Sequence, residues 1–352
     1  MKTKIVKIDP SHVEDFSCEI SEAAEIIKNG GLVAFPTETV YGLGANALDS
    51  RAAEKIYAAK GRPSDNPLIA HVASAQDFEK LCIVENRELF SSVLSNFIPG
   101  PITVIQKKRD FIPETVTAGL DTLAVRFPVH TVARALIKAA GVPIAAPSAN
   151  TSGKPSPTRA QHVIEDLDGK VDMIIDGGEC SVGVESTIVH IAGRAPKLLR
   201  PGAVTLEMLE KVLGTVEVDR AVREKLGDGE KPLAPGMKYR HYAPEAPVIA
   251  LRGSEEKIIS YMQRAVLDQS CALIVFDEDL ACFCDSTRVL SLGKREDKSE
   301  HAKRLFDLLR RFDKMNVSKI YTRIPDDSDI GLAVVNRLLK ACGYTVYDVE
   351  KI

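Results

Sequence analysis

The chain has 352 residues, more than one hydrophobic core usually spans, so we expect two domains. Its 46 lysines and arginines against 49 aspartates and glutamates give a net charge of -3, which argues against a protein built mainly to coat nucleic acid or lie on an anionic membrane. Seven cysteines without a Cys-x-x-Cys spacing predict free thiols in a reducing compartment. Because no apolar run reaches the length of a signal peptide or a membrane helix, we expect a cytoplasmic protein without a membrane partner.

Short β-branched runs alternate with helical patterns through residues 1–213. This alternation predicts a large α/β domain with a twisted mixed sheet. The predicted strands are 32–35, 68–73, 102–106, 123–127, 143–146, 173–176, 187–191 and 197–199. The predicted helices are 22–29, 50–59, 87–97, 130–140, 159–167 and 205–213.

A polar stretch rich in glycine and proline, residues 214–247, predicts a linker. Residues 248–352 then alternate strands and helices again, which predicts a smaller C-terminal Rossmann-like parallel α/β domain. Its predicted strands are 248–251, 272–276, 319–322 and 344–349, and its predicted helices are 254–268, 299–315 and 329–341.

The segment from Phe35 to His71 is the most informative part of the chain. A hydroxyl-rich turn follows an apolar strand, and two cations, Lys60 and Arg62, then lie one residue apart on a loop that prolines stiffen. Two cations ordered in advance suit a polyphosphate chain. The alternative is a pair of surface charges beside a helix end, and this loop alone does not decide between them.

Residues 42–47 match a dinucleotide-binding fingerprint on paper. That fingerprint requires a helix that begins at the glycines, whereas Asp49 or Ser50 signals a helix that begins later. A nicotinamide oxidoreductase is therefore the least favoured hypothesis for the function. A phosphate-binding Gly-x-x-x-x-Gly-Lys-Ser/Thr loop is missing too, so a nucleoside triphosphate needs another scaffold.

Polar residues follow or precede several other predicted strands. Ser148 and Asn150 lie in a polar run at the carboxyl end of a strand, where open α/β sheets place ligands. Arg126 lies in an apolar strand and needs an anionic partner, either a structural carboxylate or the carboxylate of a ligand. Each such residue alone is more often structural than catalytic, but five polar strand ends in one domain favour a binding crevice.

Taken together, these motifs resemble the YrdC-like family of threonylcarbamoyl-AMP synthases, in its long two-domain branch. The resemblance covers essentially the whole chain and rests on five strings in the family's order: 35–43, 60–63, 148–153, 185–187 and 199–202. The linker string 241–244 marks the longer branch. The resemblance implies a reaction of ATP, L-threonine and bicarbonate that gives L-threonylcarbamoyladenylate and pyrophosphate, with Mg²⁺ bound through the ATP phosphates. The product would pass to the complex that forms threonylcarbamoyladenosine in tRNA.

The resemblance also implies the site residues. Those expected to line the ATP site are Lys60, Ser64, Asn66, Thr122, Ser148, Asn150, Ser156, Arg200 and Tyr242. Those expected to hold threonine are Thr37, His71, Arg126, Ala146 and Ser186. Lys60, Arg62 and Arg200 are the expected catalytic cations, and no protein ligand for a metal is expected. Tyr242 would make the linker a cover that crosses the active site.

A different class of function stays open at this point: a tRNA or double-stranded-RNA binding module whose basic cleft holds a backbone without nucleotidyl transfer. The cations of the predicted helix 299–315 leave weak RNA binding open as well, although their spacing is typical of a solvated helix face.

Overall fold

The computed structural model describes residues 2–193, 195–227, 230, 232–237, 241–283 and 287–351. The chain divides into two compact units, an N-terminal unit of Met1–Ser152 with Ser156–Lys238 and a C-terminal unit of Gly153–Pro155 with Tyr239–Ile352. The functional boundaries expected from the sequence, 1–213, 214–247 and 248–352, stay a prediction. Within the described ranges, no helix is both long enough and apolar enough to cross a bilayer.

The N-terminal unit contains a mixed sheet whose described strands run in the order β1-β9-β2-β3-β8-β4-β7-β6-β10-β11-β12, with β5 paired to β6. The strands are β1 Lys4–Lys7, β2 Val33–Phe35, β3 Gly42–Asn46, β4 Ile69–His71, β5 Cys82–Ile83, β6 Ile102–Lys108, β7 Thr122–Arg126, β8 Ile144–Ala145, β9 Met173–Asp176, β10 Thr187–His190, β11 Lys197–Arg200 and β12 Glu217–Val218. β4 and β7 are parallel neighbours, whereas β8 runs antiparallel to both β3 and β4.

The helices of this unit are α1 Ser17–Lys28, α2 Ser50–Lys60, α3 Gln76–Leu81, α4 Arg87–Phe97, α5 Glu114–Thr117, α6 Thr131–Ala140, α7 Ala160–Leu167 and α8 Leu206–Leu213. α1 and α6 bury their apolar faces against β2 and β9 in one core cluster. A second cluster joins Ile105 and Ile188 of the sheet to Leu226, Ala234 and Met237 of the linker. Part of the predicted linker therefore packs on the sheet of the N-terminal unit.

The C-terminal unit has a parallel sheet in the order β15-β14-β16-β13-β17. Its strands are β13 Val248–Arg252, β14 Cys271–Val275, β15 Val289–Ser291, β16 Lys319–Arg323 and β17 Val346–Asp348. Its helices are α9 Glu255–Ala265, α10 Lys298–Asp313 and α11 Gly331–Ala341. The expected fold class, a mixed α/β domain followed by a smaller parallel one, is confirmed.

The local predictions differ from the structure at several elements. Strands β1, β5, β12 and β15 and the short helices α3 and α5 were not predicted, and α1 begins at Ser17 rather than at residue 22. Residues 42–46, interpreted as part of a turn, form strand β3, and a helix begins only at Ser50. The side chain of Asp49 accepts a hydrogen bond from the backbone of Arg51 and so caps this helix. Because the glycines lie in a strand rather than at a helix start, the dinucleotide fingerprint is excluded.

Candidate active site

Lys60 lies at the end of α2 on the face that packs against the sheet. It follows buried Ile56 by four residues and buried Tyr57 by three, so helix geometry carries its stem inward. The whole residue is 2% exposed, and its ammonium donates to the carbonyl oxygens of Ser148 and Asn150 at 2.5 and 2.6 Å. The backbone carbonyl of Lys60 also accepts from the backbone of Ser152. Lys60 therefore holds the loop that contains two other predicted ATP residues.

The loop after α2 is fixed by Arg62. Its guanidinium donates to the carbonyl oxygens of Asn66 at 3.2 Å and Pro67 at 2.9 Å. Ser64 is exposed on the same loop, whereas Asn66 is buried and its Oδ1 has no hydrogen-bond partner among the described residues. This loop is therefore ordered by its own cation, and the buried amide oxygen of Asn66 is left available to accept a hydrogen bond.

The loop that contains Ser148 and Asn150 faces the ammonium of Lys60 through its backbone carbonyl groups. The hydroxyl of Ser148 donates to Asn150 Oδ1 at 2.6 Å, and Asn150 Nδ2 donates to the carbonyl of Thr151 at 2.8 Å. A bridge pairs Ser148 with Gly42 at the start of β3. Lys60, Ser148 and Asn150, predicted from two separate strings, thus form one hydrogen-bonded group.

A second group surrounds Arg126, the last residue of β7. Its Nη2 donates to Glu38 Oε1 at 2.6 Å, and its Nη1 donates to Thr39 Oγ1 at 2.8 Å. Thr39 in turn shares a 2.9 Å hydrogen bond with the hydroxyl of Thr37. The anionic partner that the sequence required for Arg126 is therefore Glu38, while a ligand carboxylate at the same guanidinium stays a prediction.

His71 and Ala146 lie next to this group in the sheet. His71 ends β4 opposite Arg126 in the β4–β7 register, and Ala146 follows β8 and donates its N–H to the carbonyl of Ile69 at 2.8 Å. Burial, together with the positive charge of Arg126, lowers the pKa of His71 to about 3. His71 is therefore neutral near pH 7, and its role at the threonine site stays a prediction.

Ser186 and Arg200 form a third group. Arg200 Nη2 donates to the hydroxyl of Ser186 at 3.1 Å, and Arg200 Nε donates to the Ser186 carbonyl at 3.0 Å. Thr103 on β6 shares a 2.7 Å hydrogen bond with the Ser186 hydroxyl. Arg200 Nη1 lies 3.3 Å from the carbonyl of Pro235 in the linker. The guanidinium of Arg200 thus connects a predicted threonine residue to the linker.

Three other predicted residues have contacts of their own. The hydroxyl of Ser156 donates to Glu185 Oε1 at 2.5 Å, next in sequence to Ser186. Thr122 is half-buried at the first residue of β7, opposite Lys107 in register. Tyr242 belongs to the C-terminal unit, where its ring lies 5.0 Å from that of Phe306. Residues 238–240 of the linker lie outside the described residues, and the contact of Tyr242 with a nucleotide stays a prediction.

Sequence reasoning missed the roles of Glu38, Thr39, Thr103 and Glu185, which hold predicted residues in place. The signal for Glu38 was present, because a buried guanidinium requires a carboxylate and Glu38 lies in an otherwise uncharged run. In the described part of the chain, no three His, Cys, Asp or Glu side chains gather in a metal-binding arrangement. What the site offers is buried ammonium and guanidinium groups with hydroxyl and amide groups, an arrangement that suits anionic ligands.

Two family models match the sequence. The model of the Sua5, YciO and YrdC proteins, described as "Telomere recombination", matches residues 25–202. The model described as "Threonylcarbamoyl-AMP synthase, C-terminal domain" matches residues 204–343. Together the two models cover most of both units.

Known relatives match over nearly the whole length. A threonylcarbamoyl-AMP synthase of Bacillus subtilis is 45% identical over 97% of this chain and 99% of its own, and one of Pyrococcus abyssi is 46% identical over 96% and 97%. The crystal structure of P. abyssi Sua5 complexed with L-threonine is 43% identical, with a TM-score of 0.89, and the match covers 98% of this chain and 99% of that one. These matches favour the enzyme over the RNA-binding module. The chain belongs to the Sua5/YrdC family of threonylcarbamoyl-AMP synthases.

Proposed function

We propose that this chain forms L-threonylcarbamoyladenylate and pyrophosphate from ATP, L-threonine and bicarbonate. The observation that carries the proposal is identity of 45% and 46% to two curated threonylcarbamoyl-AMP synthases over nearly the full length of each chain. The close structural relative crystallised with L-threonine supports threonine as one substrate.

The reaction has two steps. The amine of threonine attacks the carbon of bicarbonate and forms a carbamate, with loss of water. A carbamate oxygen then attacks the α-phosphorus of ATP, and the bond to the β-phosphate oxygen breaks as pyrophosphate leaves. The carbamate and the triphosphate are both anions, so the site must offset negative charge and exclude water.

We propose that two groups of residues divide the substrates. The proposed ATP site is lined by Lys60, Ser64, Asn66, Thr122, Ser148, Asn150, Ser156, Arg200 and Tyr242. The proposed threonine site is lined by Thr37, His71, Arg126, Ala146 and Ser186. The hydrogen bond between Arg200 and Ser186 supports this division, because it joins one residue of each group where the substrates would have to meet.

Mg²⁺ would enter with the triphosphate and neutralise charge on its oxygens, because phosphate oxygens and water are ligands that Mg²⁺ prefers. Lys60, Arg62 and Arg200 would supply the remaining positive charge. The linker would contribute a cover, and the packing of Leu226, Ala234 and Met237 on the sheet supports this role. We further propose that the product passes to the tRNA-modifying threonylcarbamoyl transferase complex in the cytoplasm, where the six described free cysteines would stay reduced.

A pyrophosphate-release assay tests the proposal. The purified full chain is supplied with ATP, L-threonine, bicarbonate and Mg²⁺, and each component is then omitted in turn. We expect release to require all of the first three, and mass spectrometry to detect the threonylcarbamoyl adenylate. Salt-sensitive RNA binding without threonine-dependent pyrophosphate release would instead favour the RNA-binding module.

A further inference from the structure

The ion pair between Glu38 and Arg126 is buried at the proposed threonine site. The two side chains are 6% and 5% exposed, and Glu38 Oε1 lies 2.6 Å from Arg126 Nη2. The backbone of Glu38 is fixed as well, because its carbonyl accepts from the backbone of Val182 at 2.9 Å. The carboxylate therefore has a defined position rather than a choice of partners on a mobile loop.

This pair leaves two polar atoms of opposite kind unfilled. Glu38 Oε2, an acceptor, and Arg126 Nε, a donor, are both buried without a hydrogen-bond partner among the described residues. The other terminal nitrogen of Arg126 is already bonded to Thr39. Leaving a buried charged atom unsatisfied is costly, so one such donor and one such acceptor on paired residues point to a ligand that supplies the complements of both.

Other titratable groups face the same pair. His130 has a buried Nδ1 without a partner among the described residues. Burial lowers the pKa of His130, while Glu38 raises it and Arg126 lowers it. Burial raises the pKa of the Cys180 thiol, and Glu38 raises it further. Both neighbours are thus held neutral, so the charges of the ion pair are the ones that a ligand would meet.

We propose that Glu38 is a positioning residue for the substrate, whose free carboxylate oxygen accepts the α-amino group of threonine while Arg126 holds the α-carboxylate. The inference rests on the proposed function and deepens it. An α-amino acid carries a cationic donor and an anionic acceptor on one carbon, which is the complement of the two unfilled atoms. The hydroxyl of Thr39 accepts a hydrogen bond from Arg126 and shares another with the hydroxyl of Thr37, so these two threonines would add polar groups beside the amino acid.

The assignment has a consequence for the reaction. The amine must present its lone pair to bicarbonate, and a carboxylate that accepts one of its N–H bonds fixes the direction of that lone pair. A carboxylate that only balanced Arg126 would have no effect on how the amine is oriented. If Glu38 binds the amine, replacing Glu38 should weaken mainly the binding of ligands that carry an amine. If Glu38 only balances the charge of Arg126, the replacement should affect ligands with and without an amine alike.

The test compares ligands and variants. Binding to the full chain is measured by titration calorimetry with L-threonine and with (R)-3-hydroxybutanoate, which keeps the carboxylate, hydroxyl and methyl groups but lacks the amine. The variant is Glu38→Gln, which keeps the shape of the side chain but removes its charge. The matched control is Glu179→Gln, because Glu179 is an exposed carboxylate paired with Arg159 at 3.0 Å.

We expect Glu38→Gln to weaken threonine binding about 10- to 100-fold, as the loss of a hydrogen bond to a charged group predicts. Binding of 3-hydroxybutanoate should weaken at least about tenfold less than that of threonine, because any effect that acts through Arg126 is shared by the two ligands whereas the contact with Glu38 Oε2 is made by threonine alone. The control should bind both ligands as the wild type does. Equal losses for the two ligands, or unchanged threonine binding, would overturn the proposal.

A crystal structure of the wild-type chain with threonine gives a second measurement that needs no variant. We expect the threonine nitrogen within hydrogen-bond distance of Glu38 Oε2, and an amine held elsewhere would overturn the proposal even if Glu38→Gln fails to fold. The pyrophosphate assay keeps the two ideas apart. If the wild type releases no pyrophosphate, the proposed function fails. If the wild type does release it, and Glu38→Gln prefers threonine over 3-hydroxybutanoate as strongly as the wild type does, only this inference fails.

Discussion

Lys60 gives the sharpest prediction, because it is both a proposed phosphate contact and the anchor of the Ser148 loop. The perturbation is Lys60→Met, which keeps the length of the buried stem and removes the ammonium. The two carbonyl oxygens of Ser148 and Asn150 then lose a charged donor at 2.5 and 2.6 Å. Each unsatisfied acceptor costs about 1–3 kcal/mol, and the relief of a buried charge offsets part of that loss.

We therefore expect the free energy of unfolding to fall by about 1–3 kcal/mol, which corresponds to a melting temperature lower by about 3–10 °C for a unit of this size. Turnover should fall by about 10²- to 10³-fold, the usual effect of removing one group that stabilises developing negative charge. Thermal unfolding and pyrophosphate release, measured on the same preparation, give the two values.

The control is Lys55→Met on the same helix. Lys55 is exposed and donates to the carbonyl of Gly30 at 2.6 Å, so we expect little change in turnover. If Lys60→Met lowers the melting temperature but keeps turnover within about threefold of the wild type, Lys60 anchors the loop and is not a catalytic residue. If neither quantity changes, the burial argument itself is wrong.

Three other predictions use the same preparations. Gly44→Ala should destabilise the chain by about 1–3 kcal/mol in urea unfolding, because an added Cβ would lie 2.7 Å from a methyl group of Ile144; an unchanged midpoint would refute the close packing. Arg200→Lys should lower kcat/KM for threonine about tenfold or more, since the single ammonium of lysine cannot reproduce the planar fork of nitrogens with which Arg200 reaches the hydroxyl and the carbonyl of Ser186; a wild-type value would refute that role. His71 has a pKa of about 3 against 6.5 when unfolded, so its stabilising contribution is complete above pH 6.5 and is lost as the pH falls towards 3. Between pH 7.5 and 5.5 this loss is about 1.4 kcal/mol, and His71→Gln should lose correspondingly less stability over that interval in melting experiments.

Local signals in the sequence predicted the longer helices and most of the central strands, but not the short elements. Helix α4 and strand β9 begin and end where the sequence predicts, and the cap of α2 is Asp49. Strand β3 was missed because its residues include two glycines and lack β-branched side chains. These glycines serve packing: a Cβ on Gly44 would approach Phe35 to 2.8 Å, so the close spacing of β2 and β3 requires glycine there.

The chemistry of Arg126 could be predicted only in part. A guanidinium in an apolar strand requires an anion on any fold, so the need for a carboxylate followed from the sequence. Which carboxylate it is depends on the fold, because Glu38 lies 88 positions earlier in the chain. Contacts of this range are set by the pairing of strands, which a single sequence does not specify.

The predicted site residues are arranged differently from what the placement of ligands at the carboxyl ends of parallel strands would predict. In particular, β8 runs antiparallel to its neighbours and carries Ser148 towards the start of β3. On the parallel pair β4 and β7, Thr122 lies at the start of β7 and Arg126 at its end, about 13 Å away at the usual rise of a strand. Thr122 of the proposed ATP group and Arg126 of the proposed threonine group would therefore be separated along β7, whereas Arg200 and Ser186 bring the same two groups together through a hydrogen bond. A nucleotide and an amino acid joined through a carbamate form a long product, so residues at both ends of one strand could contact it at the same time.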